Sequence, residues 1–538
     1  MSRRRLIAVV AVLVVTVCAL PAAAGARVLR VGVYKGIRGQ YKTIQAAVDA
    51  AKPGDFVLVG PGDYKTTSSR APRGAKQFPA AVLMQKPLVF LRGMNRSKVI
   101  VDGTKPGYPA CSKNPAAQNY GPMYQGRRAG LNGIEAWKAN NTWVQNLTTC
   151  NFTSGSGDTG NEIWWNGGAG GGHIHGKGFV ASYLTATSTF FKNESTASTY
   201  GLFSSDWTGG VFSRDYASNF NDSGFYIGGC AQRCNQIIKN SQSEYNALGY
   251  SGTNSGGSML IEHNKFDHNK DGFDTNSQNN SDWPSPQSGA CPKGIKPQLK
   301  GAKTCWIFYD NDVYDNNDPN VPGAGAASAG PIGTGASIEG RNDTFLDNRF
   351  TGNGSWGLVF LPYPDTETPP ANVVAAGKAC AGGTTNFSLL GQTIPCMYDD
   401  WGNQVTGNKF KDNGGFGNPT NGDIGEVTLE AGHPLNCFRA NKAVGGLLSM
   451  SPAGLQQRGC AGVASAADVN ASFLAQVLCN TQVFGPGIGC TPGSHYPRLK
   501  RVVMHPLPKR LPSMPNPCQG VPTNPWCPAK DPAHHATA

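Results

Sequence analysis

The stretch Asn264-Lys-Phe-Asp-His-Asn269 decides the fold, because it returns along the chain with the same outline. Its clearest copies are Asn311-Asp-Val-Tyr-Asp-Asn316, Asn348-Arg-Phe-Thr-Gly-Asn353 and Asn408-Lys-Phe-Lys-Asp-Asn413. Looser copies end at Asn151, Asn193, Asn219 and Asn246. The copies ending at 193, 219, 246 and 269 follow at intervals of 26, 27 and 23 residues. A period of this size predicts a solenoid whose repeats share one core.

The residues after each asparagine indicate which solenoid this is. Several copies continue into a glycine and a short apolar strand, as in Gly201-Leu-Phe-Ser, Gly224-Phe-Tyr-Ile and Gly357-Leu-Val-Phe. Nothing inside the repeat has a helical period. Asparagine suits a recurring turn, because it tolerates left-handed backbone and its amide can form side-chain ladders. We therefore predict an all-β, right-handed parallel β-helix, with the eight second asparagines stacked at one corner.

An amphipathic helix is predicted where the β-helix opens. Thr43 is a candidate N-cap, apolar residues recur at 44, 47, 48 and 51, and Pro53-Gly54 ends the pattern. The whole stretch from Tyr41 to Tyr64 resembles the opening of proteins in the pectate-lyase-like superfamily of right-handed parallel β-helices. The resemblance covers roughly residues 30–430. It implies a fold, with the helix plugging the first rung, and leaves the activity open, because that superfamily contains lyases, glycosidases, epimerases, esterases and non-catalytic surface proteins.

The first 26 residues are predicted to be an export signal. Three arginines at 3–5 precede an apolar stretch from Leu6 to Leu20, and Ala24-Gly-Ala26 supplies small residues for cleavage. General export is the favoured route, with a twin-arginine signal as the alternative. The mature chain is expected to be secreted or held at the cell surface.

The cysteines agree with an oxidising compartment, since fourteen remain once Cys18 leaves with the signal. Neighbouring cysteines predict five loop disulfides, namely Cys230/Cys234, Cys291/Cys305, Cys380/Cys396, Cys479/Cys490 and Cys518/Cys527. A zinc site at Cys230 and Cys234 is the alternative for the first pair.

The chain divides into five predicted segments. These are the signal (1–26), an N-terminal cap with the first rungs (27–130), the β-helix (131–430), a C-terminal capping module (431–490) and a basic, proline-rich tail (491–538). Insertions are expected at about 277–304, 317–335 and 361–400. Within the capping module, Ala466 to Cys479 is the candidate helix.

The formal charge of +13 predicts an anionic partner, such as an acidic polysaccharide or a cell-wall polymer, although a basic surface also serves solubility. No nucleic-acid module is recognisable, so nucleic acid is set aside. Outside the signal, no stretch is apolar enough to span a membrane. The oligomeric state stays open.

Alternation within the strands separates inward from outward side chains. The residue after each repeat glycine is predicted to point inward, namely Ile134, Leu202, Phe225, Tyr250, Phe273 and Leu358. The next residue is predicted to face solvent, which gives the column Glu135, Trp164, Phe203, Tyr226, Ser251, Asp274 and Val359. We expect Trp164, Phe203 and Tyr226 to stack on sugar rings at the floor of a groove. The alternative is that these rings pack under loops.

The stretch from Glu262 to Asn276 is the first candidate site, because it is the densest polar cluster. The candidate catalytic residues are Lys270, His268, His263 and Asp274. They suit β-elimination from a uronate, in which a base removes an acidified proton. The candidate ligands for Ca²⁺, which prefers oxygen, are Asp267, Asp271 and Asp274. The competing interpretation is that Asp271 and Asp274 are turn-forming acids.

A basic loop follows this cluster directly. The candidate substrate-binding lysines are Lys293, Lys296, Lys300 and Lys303, which would hold substrate carboxylates if the loop overhangs Asp274. A second candidate site is Glu162, His173 and His175, in which two alternating histidines suit a metal or a base.

Motifs of named activities are missing from the sequence. It lacks the Arg-x-Pro-x-x-Arg of common pectate lyases, the Gly-His-Gly with paired aspartates of polygalacturonases and the Asp-Pro-His of mannuronan epimerases. Two hypotheses remain. One is a secreted lyase or glycosidase acting on an acidic polysaccharide, and the other is a non-catalytic glycan-binding surface protein.

Overall fold

The computed structural model describes residues 25–168, 173–279, 282–389, 391–508 and 511–529. They form a right-handed parallel β-helix with three long parallel sheets of 12, 11 and 11 strands. The first sheet contains Val28–Val31, Phe56–Val59, Phe90–Gly93, Thr142–Gln145, Phe179–Ser182, Gly210–Ser213, Gln236–Lys239, Met259–Glu262, Trp306–Tyr309, Asp343–Leu346, Gln404–Thr406 and Cys437–Arg439. The second contains Gly62–Lys65, Val99–Asp102, Thr148–Cys150, Thr185–Thr187, Tyr216–Ser218, Gln242–Glu244, Lys265–Asp267, Asp312–Tyr314, Arg349–Thr351, Lys409–Lys411 and Lys442–Ala443. The third contains Ala80–Met84, Asn132–Trp137, Asn161–Asn166, Tyr200–Ser205, Ser223–Gly228, Leu248–Thr253, Asp271–Asn276, Thr334–Ile338, Trp356–Phe360, Gly422–Glu426 and Met450–Ser451.

Smaller elements decorate this frame. The helices are α1 (Ile44–Ala50), α2 (Ala371–Ala375) and α3 (Ala471–Thr481), with 3₁₀ turns at Pro115–Ala117, Glu194–Thr196, Gly325–Ala329 and Ala466–Asp468. The small sheets pair Val33–Tyr34 with Ile37–Arg38, Met123–Tyr124 with Arg127–Arg128, Gly176–Lys177 with Trp207–Thr208, and Thr384–Leu389 and Tyr363–Asp365 with Gln392–Tyr398. The parallel strands extend the β-helix on both sides of the predicted limits 131–430.

The predicted inward column is confirmed. Leu202 pairs with Phe225, and Phe225 pairs with Tyr250, so equivalent positions stack from rung to rung. All six predicted residues belong to the main buried core. Each Å² of apolar surface buried along this column stabilises the fold by about 25 cal/mol, and this burial is the dominant stabilising contribution to the solenoid.

Two asparagine ladders run along the length of the β-helix. At the corner between the second and third sheets, the N–H and Nδ2 of each asparagine donate to Oδ1 of the next, through Asn246, Asn269, Asn316, Asn353 and Asn413. At the corner between the first and second sheets, the first asparagines of the motif do the same, through Asn264, Asn311, Asn348, Asn408 and Asn441. The ladders satisfy turn amides that no sheet can reach.

The prediction that all eight second asparagines share one ladder is wrong for three of them. The strand register places Asn219 opposite Tyr245, so Phe220 takes the ladder position and its N–H donates to Asn246 Oδ1. Asn151 is one residue early in the same way, and Asn193 is exposed. The left-handed backbone belongs to the residue before the ladder, as at His268 with φ of 55°.

The predicted N-terminal cap is confirmed. Thr43 Oγ1 accepts from the N–H of Ala46 at 3.3 Å, which starts α1. Ile44, Ala47 and Val48 join the main core, so α1 covers the apolar opening of the first rung.

The C-terminal helix has a different position from the predicted cap. α3 packs on the outside of the third sheet, where the Phe473 ring lies 5.8 Å from that of Trp356. The turn that follows the last strand closes the end instead. In that turn Leu455 joins the main core, and Gln456 Oε1 accepts from the N–H of Asn441.

The C-terminal tail runs back along the outside of the helix, and we call its described part between residues 498 and 527 the strap. Its backbone N–H groups donate to Asn219 Oδ1 from His505 at 2.9 Å and to Asn146 Oδ1 from Met514 at 2.8 Å. The Trp526 indole donates to the Ile37 carbonyl at 3.0 Å. Motif asparagines outside the ladders thus fix the strap across the rungs.

Seven disulfides occur among the described residues, and all five predicted pairs are confirmed. The zinc alternative at Cys230 and Cys234 is therefore wrong. The two further pairs, Cys111–Cys150 and Cys437–Cys460, each join a loop to a strand of the β-helix across longer sequence separations. Most of the predicted export signal lies outside the described residues. Among the described residues, no helix is long and apolar enough to cross a membrane.

Candidate functional site

The outward column of the third sheet has the predicted register but is covered. Trp164 pairs with Phe203, and Phe203 pairs with Tyr226, in a cluster separate from the main core. Their exposed fractions are only 5%, 8% and 6%. The Trp164 and Phe203 rings stack on each other at 4.7 Å, and Phe78 covers Trp164 edge-on at 5.3 Å. The rings line a groove and also pack under a loop.

Two other members of the column do not face solvent, contrary to prediction. Glu135 is fully buried, and Asn166 Nδ2 donates to its carboxyl at 2.9 Å. Val359 is also fully buried, in the cluster that contains α3. Loops and α3 close over these positions, so alternation assigned the correct side of the sheet but not the exposure.

The covering elements enclose an acidic cavity of about 360 Å³ on the third sheet. Its floor carries Tyr226, Ser251 and Asp274, and its walls come from α3, the segment 326–331 and the segment 361–366. A second depression of about 670 Å³, which we call the aromatic groove, contains Trp164 and Phe203. The two share Tyr200, Tyr226 and Asp282, so together they form one trough along several rungs.

Four carboxyl groups line the acidic cavity: Asp222, Asp274, Asp282 and Glu339. Burial raises the pKa of Asp222 to about 7 and that of Asp282 to about 6. Burial, followed by the charge of Asp274, raises the pKa of Glu339 well above its ordinary value. Carboxyls that hold protons near neutral pH can act as general acids.

Asp274 is the best-supported ionised member of this set. Asn276 Nδ2 donates to its Oδ1 at 3.2 Å, and Ser337 Oγ lies 3.0 Å from its Oδ2. Burial raises its pKa to about 6. Ser337 Oγ is also 2.7 Å from Asp271, whose pKa burial and the neighbouring Asp274 raise well above normal. Asp271 therefore holds its proton beneath Asp274, which ionises first.

The lysine loop does not overhang Asp274, so that prediction is wrong. Lys303 donates its N–H to Gln404 Oε1 at 2.8 Å, and Gln404 Nε2 donates to the Gly301 carbonyl at 2.9 Å. Gln404 belongs to the first sheet, whereas Asp274 belongs to the third. None of the described residues that line the cavity and the groove is a lysine, an arginine or a histidine. The predicted substrate-binding residues Lys293, Lys296, Lys300 and Lys303 therefore do not line either of them.

The three predicted bases also lie outside the cavity. His263 turns between the first and second sheets, with Nε2 3.2 Å from Asp310 Oδ2. His268 points to the second sheet, with Nδ1 2.9 Å from Asp267 Oδ2. Lys270 Nζ donates to the Ser328 carbonyl, so it fastens the segment that walls the cavity.

The predicted Ca²⁺ ligands do not form one site. Asp267 belongs to the second sheet, and Asp271 and Asp274 belong to the third. Asp267 instead meets Glu244 and His268, whose ligand atoms lie within 4.8 Å of one another. That trio is already hydrogen-bonded, since Tyr216 donates to Glu244 at 2.6 Å. An ion bound by the cavity carboxyls would have to displace protons, because burial raises the pKa values of those groups.

The second candidate site is not assembled. Glu162 occupies the position that glycine holds in other rungs. Its carboxyl accepts a hydrogen bond from the Phe152 N–H at 3.0 Å, in the interior of the β-helix. His173 and His175 are exposed, with ring centroids 6.1 Å apart. They precede the short strand Gly176–Lys177 instead of lying within a strand, and neither lines the trough.

Three of the cavity carboxyls were missed from the sequence. Alternation applied to Thr334–Ile338 places Ser337 and Glu339 on the outer side, so the signal for Glu339 was present. Asp222 and Asp282 lie in loops, where no periodicity applies. The α3 wall carries no signal, because its contact with the third sheet joins distant parts of the chain.

Comparisons with known proteins assign neither a family nor an activity to the chain. No family model matches the chain, and no curated protein matches it. Among solved structures, the A-module of Azotobacter vinelandii mannuronan C-5 epimerase AlgE6 is 12% identical, with 76% of this chain and 90% of that chain covered and a TM-score of 0.44. Pectate lyase Pel9A is 12% identical, with 90% and 92% covered and a TM-score of 0.31. The catalytic domain of a GH87 α-1,3-glucanase is 10% identical, with 78% and 66% covered and a TM-score of 0.28. These values are too low to transfer an activity.

Proposed function

We propose that the protein is a secreted glycosidase that cleaves a polysaccharide in the acidic cavity. The observation that carries this proposal is the set of four carboxyls around one cavity, with their pKa values raised and no basic side chain among the described lining residues. Glycosidic hydrolysis needs one carboxylic acid and one carboxylate beside the scissile bond. The seven disulfides suit an extracellular site of action.

Glu339 is proposed as the general acid and Asp274 as the base or nucleophile. The pKa of Glu339 is held well above its ordinary value by burial and by the Asp274 charge, so it keeps a proton to give to the leaving oxygen. Asp274 accepts from Asn276 and Ser337, contacts that favour its ionised form. Tyr200 donates to Asp222 at 3.1 Å, which orients a third carboxyl of the cavity.

Hydrolysis fits the cavity better than β-elimination. Elimination requires a cation to neutralise the uronate carboxylate, and the described lining residues supply none. A bound Ca²⁺ would supply that charge, which keeps a Ca²⁺-dependent lyase as a distinct outcome of the test. A non-catalytic glycan-binding protein is the other outcome, for which the aromatic groove would be the binding surface.

The test is a polysaccharide screen with and without Ca²⁺, using the wild-type protein and isosteric variants. We expect new reducing ends, no product absorbing in the near ultraviolet, and a loss of about 10²–10⁴-fold in rate for Glu339→Gln and Asp274→Asn. Asp412→Asn is the matched control, because Asp412 is exposed on another part of the helix. Its rate should equal that of the wild-type protein.

The pH profile gives a second readout. Activity should rise as pH increases through about 6, because Asp274 must lose its proton, and fall again where Glu339 loses its own. Unsaturated products that require Ca²⁺ would replace the proposal with a lyase. Glycan binding without any product across the screen would replace it with a binding function.

A further inference from the structure

A basic pocket of about 320 Å³ adjoins the aromatic groove. It lies between the hairpin Met123–Tyr124/Arg127–Arg128 and the 3₁₀ turn Glu194–Thr196, and residues 154–156 form its floor. Ser154 lines both the basic pocket and the aromatic groove. The pocket therefore continues the trough sideways at the rungs that carry Trp164 and Phe203.

The charge of this pocket is opposite to that of the trough. Arg127, Arg128 and Lys192 line it together with five hydroxyl-bearing residues and Gly155, and the described lining residues include no carboxyl group. Among the described residues, the groove and the cavity together are lined by six carboxyl groups and by no basic residue. The six are Asp158, Asp206, Asp222, Asp274, Asp282 and Glu339. A polymer that occupies both sites meets acids along the trough and cations at its side.

The pocket has a fixed frame. Ser156 Oγ donates to the Arg128 carbonyl at 3.2 Å, and its N–H donates to the same carbonyl at 2.9 Å. Arg128 Nη1 donates to the Gly121 carbonyl at 3.1 Å, which directs that guanidinium. On the other wall, Asn193 Oδ1 accepts from Thr196 Oγ1 at 2.7 Å. Both walls are thus held by hydrogen bonds, and the side chains of Arg127 and Lys192 are exposed and accessible to a ligand.

We infer that the basic pocket is a subsite for an anionic substituent, a carboxylate or a sulfate, on the polysaccharide that lies in the trough. Guanidinium groups match the planar geometry of such oxyanions, and the neighbouring hydroxyls add neutral donors. Asp274 lies three strands along the third sheet from Tyr200–Ser205, or about 14 Å at the usual strand spacing. The charged sugar would therefore lie a few residues from the bond that is cleaved. This inference takes its glycan from the proposed function.

The experiment measures binding directly, without cleavage. Oligogalacturonate, a sulfated heparin oligosaccharide and an uncharged malto-oligosaccharide of equal length are titrated into the full chain by calorimetry at low salt. The variant Arg127→Ser/Arg128→Ser/Lys192→Ser empties the pocket of charge. The matched control Lys293→Ser/Lys296→Ser/Lys300→Ser removes the same charge from exposed positions in the loop on the first sheet.

We expect the pocket variant to weaken binding of an anionic oligosaccharide by about tenfold or more, and the control to change it less than about twofold. If the pocket variant loses affinity for oligogalacturonate, the pocket binds a carboxylate, and if it loses affinity for the heparin oligosaccharide, the pocket binds a sulfate. Equal losses in both triple variants would overturn the inference, because only overall charge would then attract the ligand, and so would an unchanged affinity in the pocket variant. Pocket-dependent binding without hydrolysis would contradict the proposed function alone.

Discussion

Replacing Asn316 with alanine tests how much the asparagine ladder stabilises the fold. The Asn316 amide makes four buried hydrogen bonds. Nδ2 donates to Asn353 Oδ1 and to the Phe266 carbonyl, both at 3.1 Å, and Oδ1 accepts from the N–H and Nδ2 of Asn269 at 3.1 and 3.0 Å. At about 1 kcal/mol for each bond, the loss is about 4 kcal/mol.

This loss converts into a measurable shift in melting temperature. An unfolding entropy of about 2.1 cal/mol/K per residue over about 500 residues is about 1 kcal/mol/K, so Tm should fall by about 4 °C in a cooperative transition. Scanning calorimetry measures the shift. Asn193→Ala is the control, because Asn193 ends a copy of the motif but is exposed outside the ladder. Equal melting temperatures for the two variants would refute the ladder as a stabilising element.

Two further predictions concern the buried carboxyl group of Glu135 and the strap. Burial raises the pKa of Glu135 to about 8, above its unfolded value, so the folded state binds the extra proton and stability should fall as pH rises from about 5 to 8. Glu135→Gln should flatten the slope of Tm against pH, and an unchanged slope would count against this assignment. Trp526→Ala should release the end of the strap and lower stability by about 3–5 kcal/mol, since the ring is buried against the first rungs. Limited proteolysis should then cut the strap, whereas Leu499→Ala, at an exposed position, should leave it resistant.

The fold was predictable because the same asparagine motif occurs many times along the sequence. The period, the strand alternation and the helix at Ile44–Ala50 each depend on neighbours in sequence, and all three are confirmed. The ladder register failed at Asn219, because one residue of slip inside a looser copy moves the asparagine to the left-handed position. Such a slip leaves the spacing between copies almost unchanged, so the sequence does not reveal it.

The site was predictable only where it lies on the sheet. Alternation identified Asp274 and Tyr226 on the outer side, and both line the acidic cavity. The walls come from α3 and from insertions, whose contacts join residues far apart in sequence. A disulfide closes the loop at Cys291–Cys305 but does not set which sheet the loop covers. The lysines of that loop were therefore assigned to the wrong face.

The most direct test of the central proposal is hydrolysis in H₂¹⁸O, with the products analysed by mass spectrometry. A glycosidase adds water across the cleaved bond, so each new reducing end formed by the wild-type protein should carry one ¹⁸O. The Glu339→Gln variant should form no such labelled product. Labelled products are expected from a polysaccharide that the Asp412→Asn variant cleaves as fast as the wild-type protein does. Products without the label, or labelled products that persist in Glu339→Gln and Asp274→Asn, would contradict the proposal.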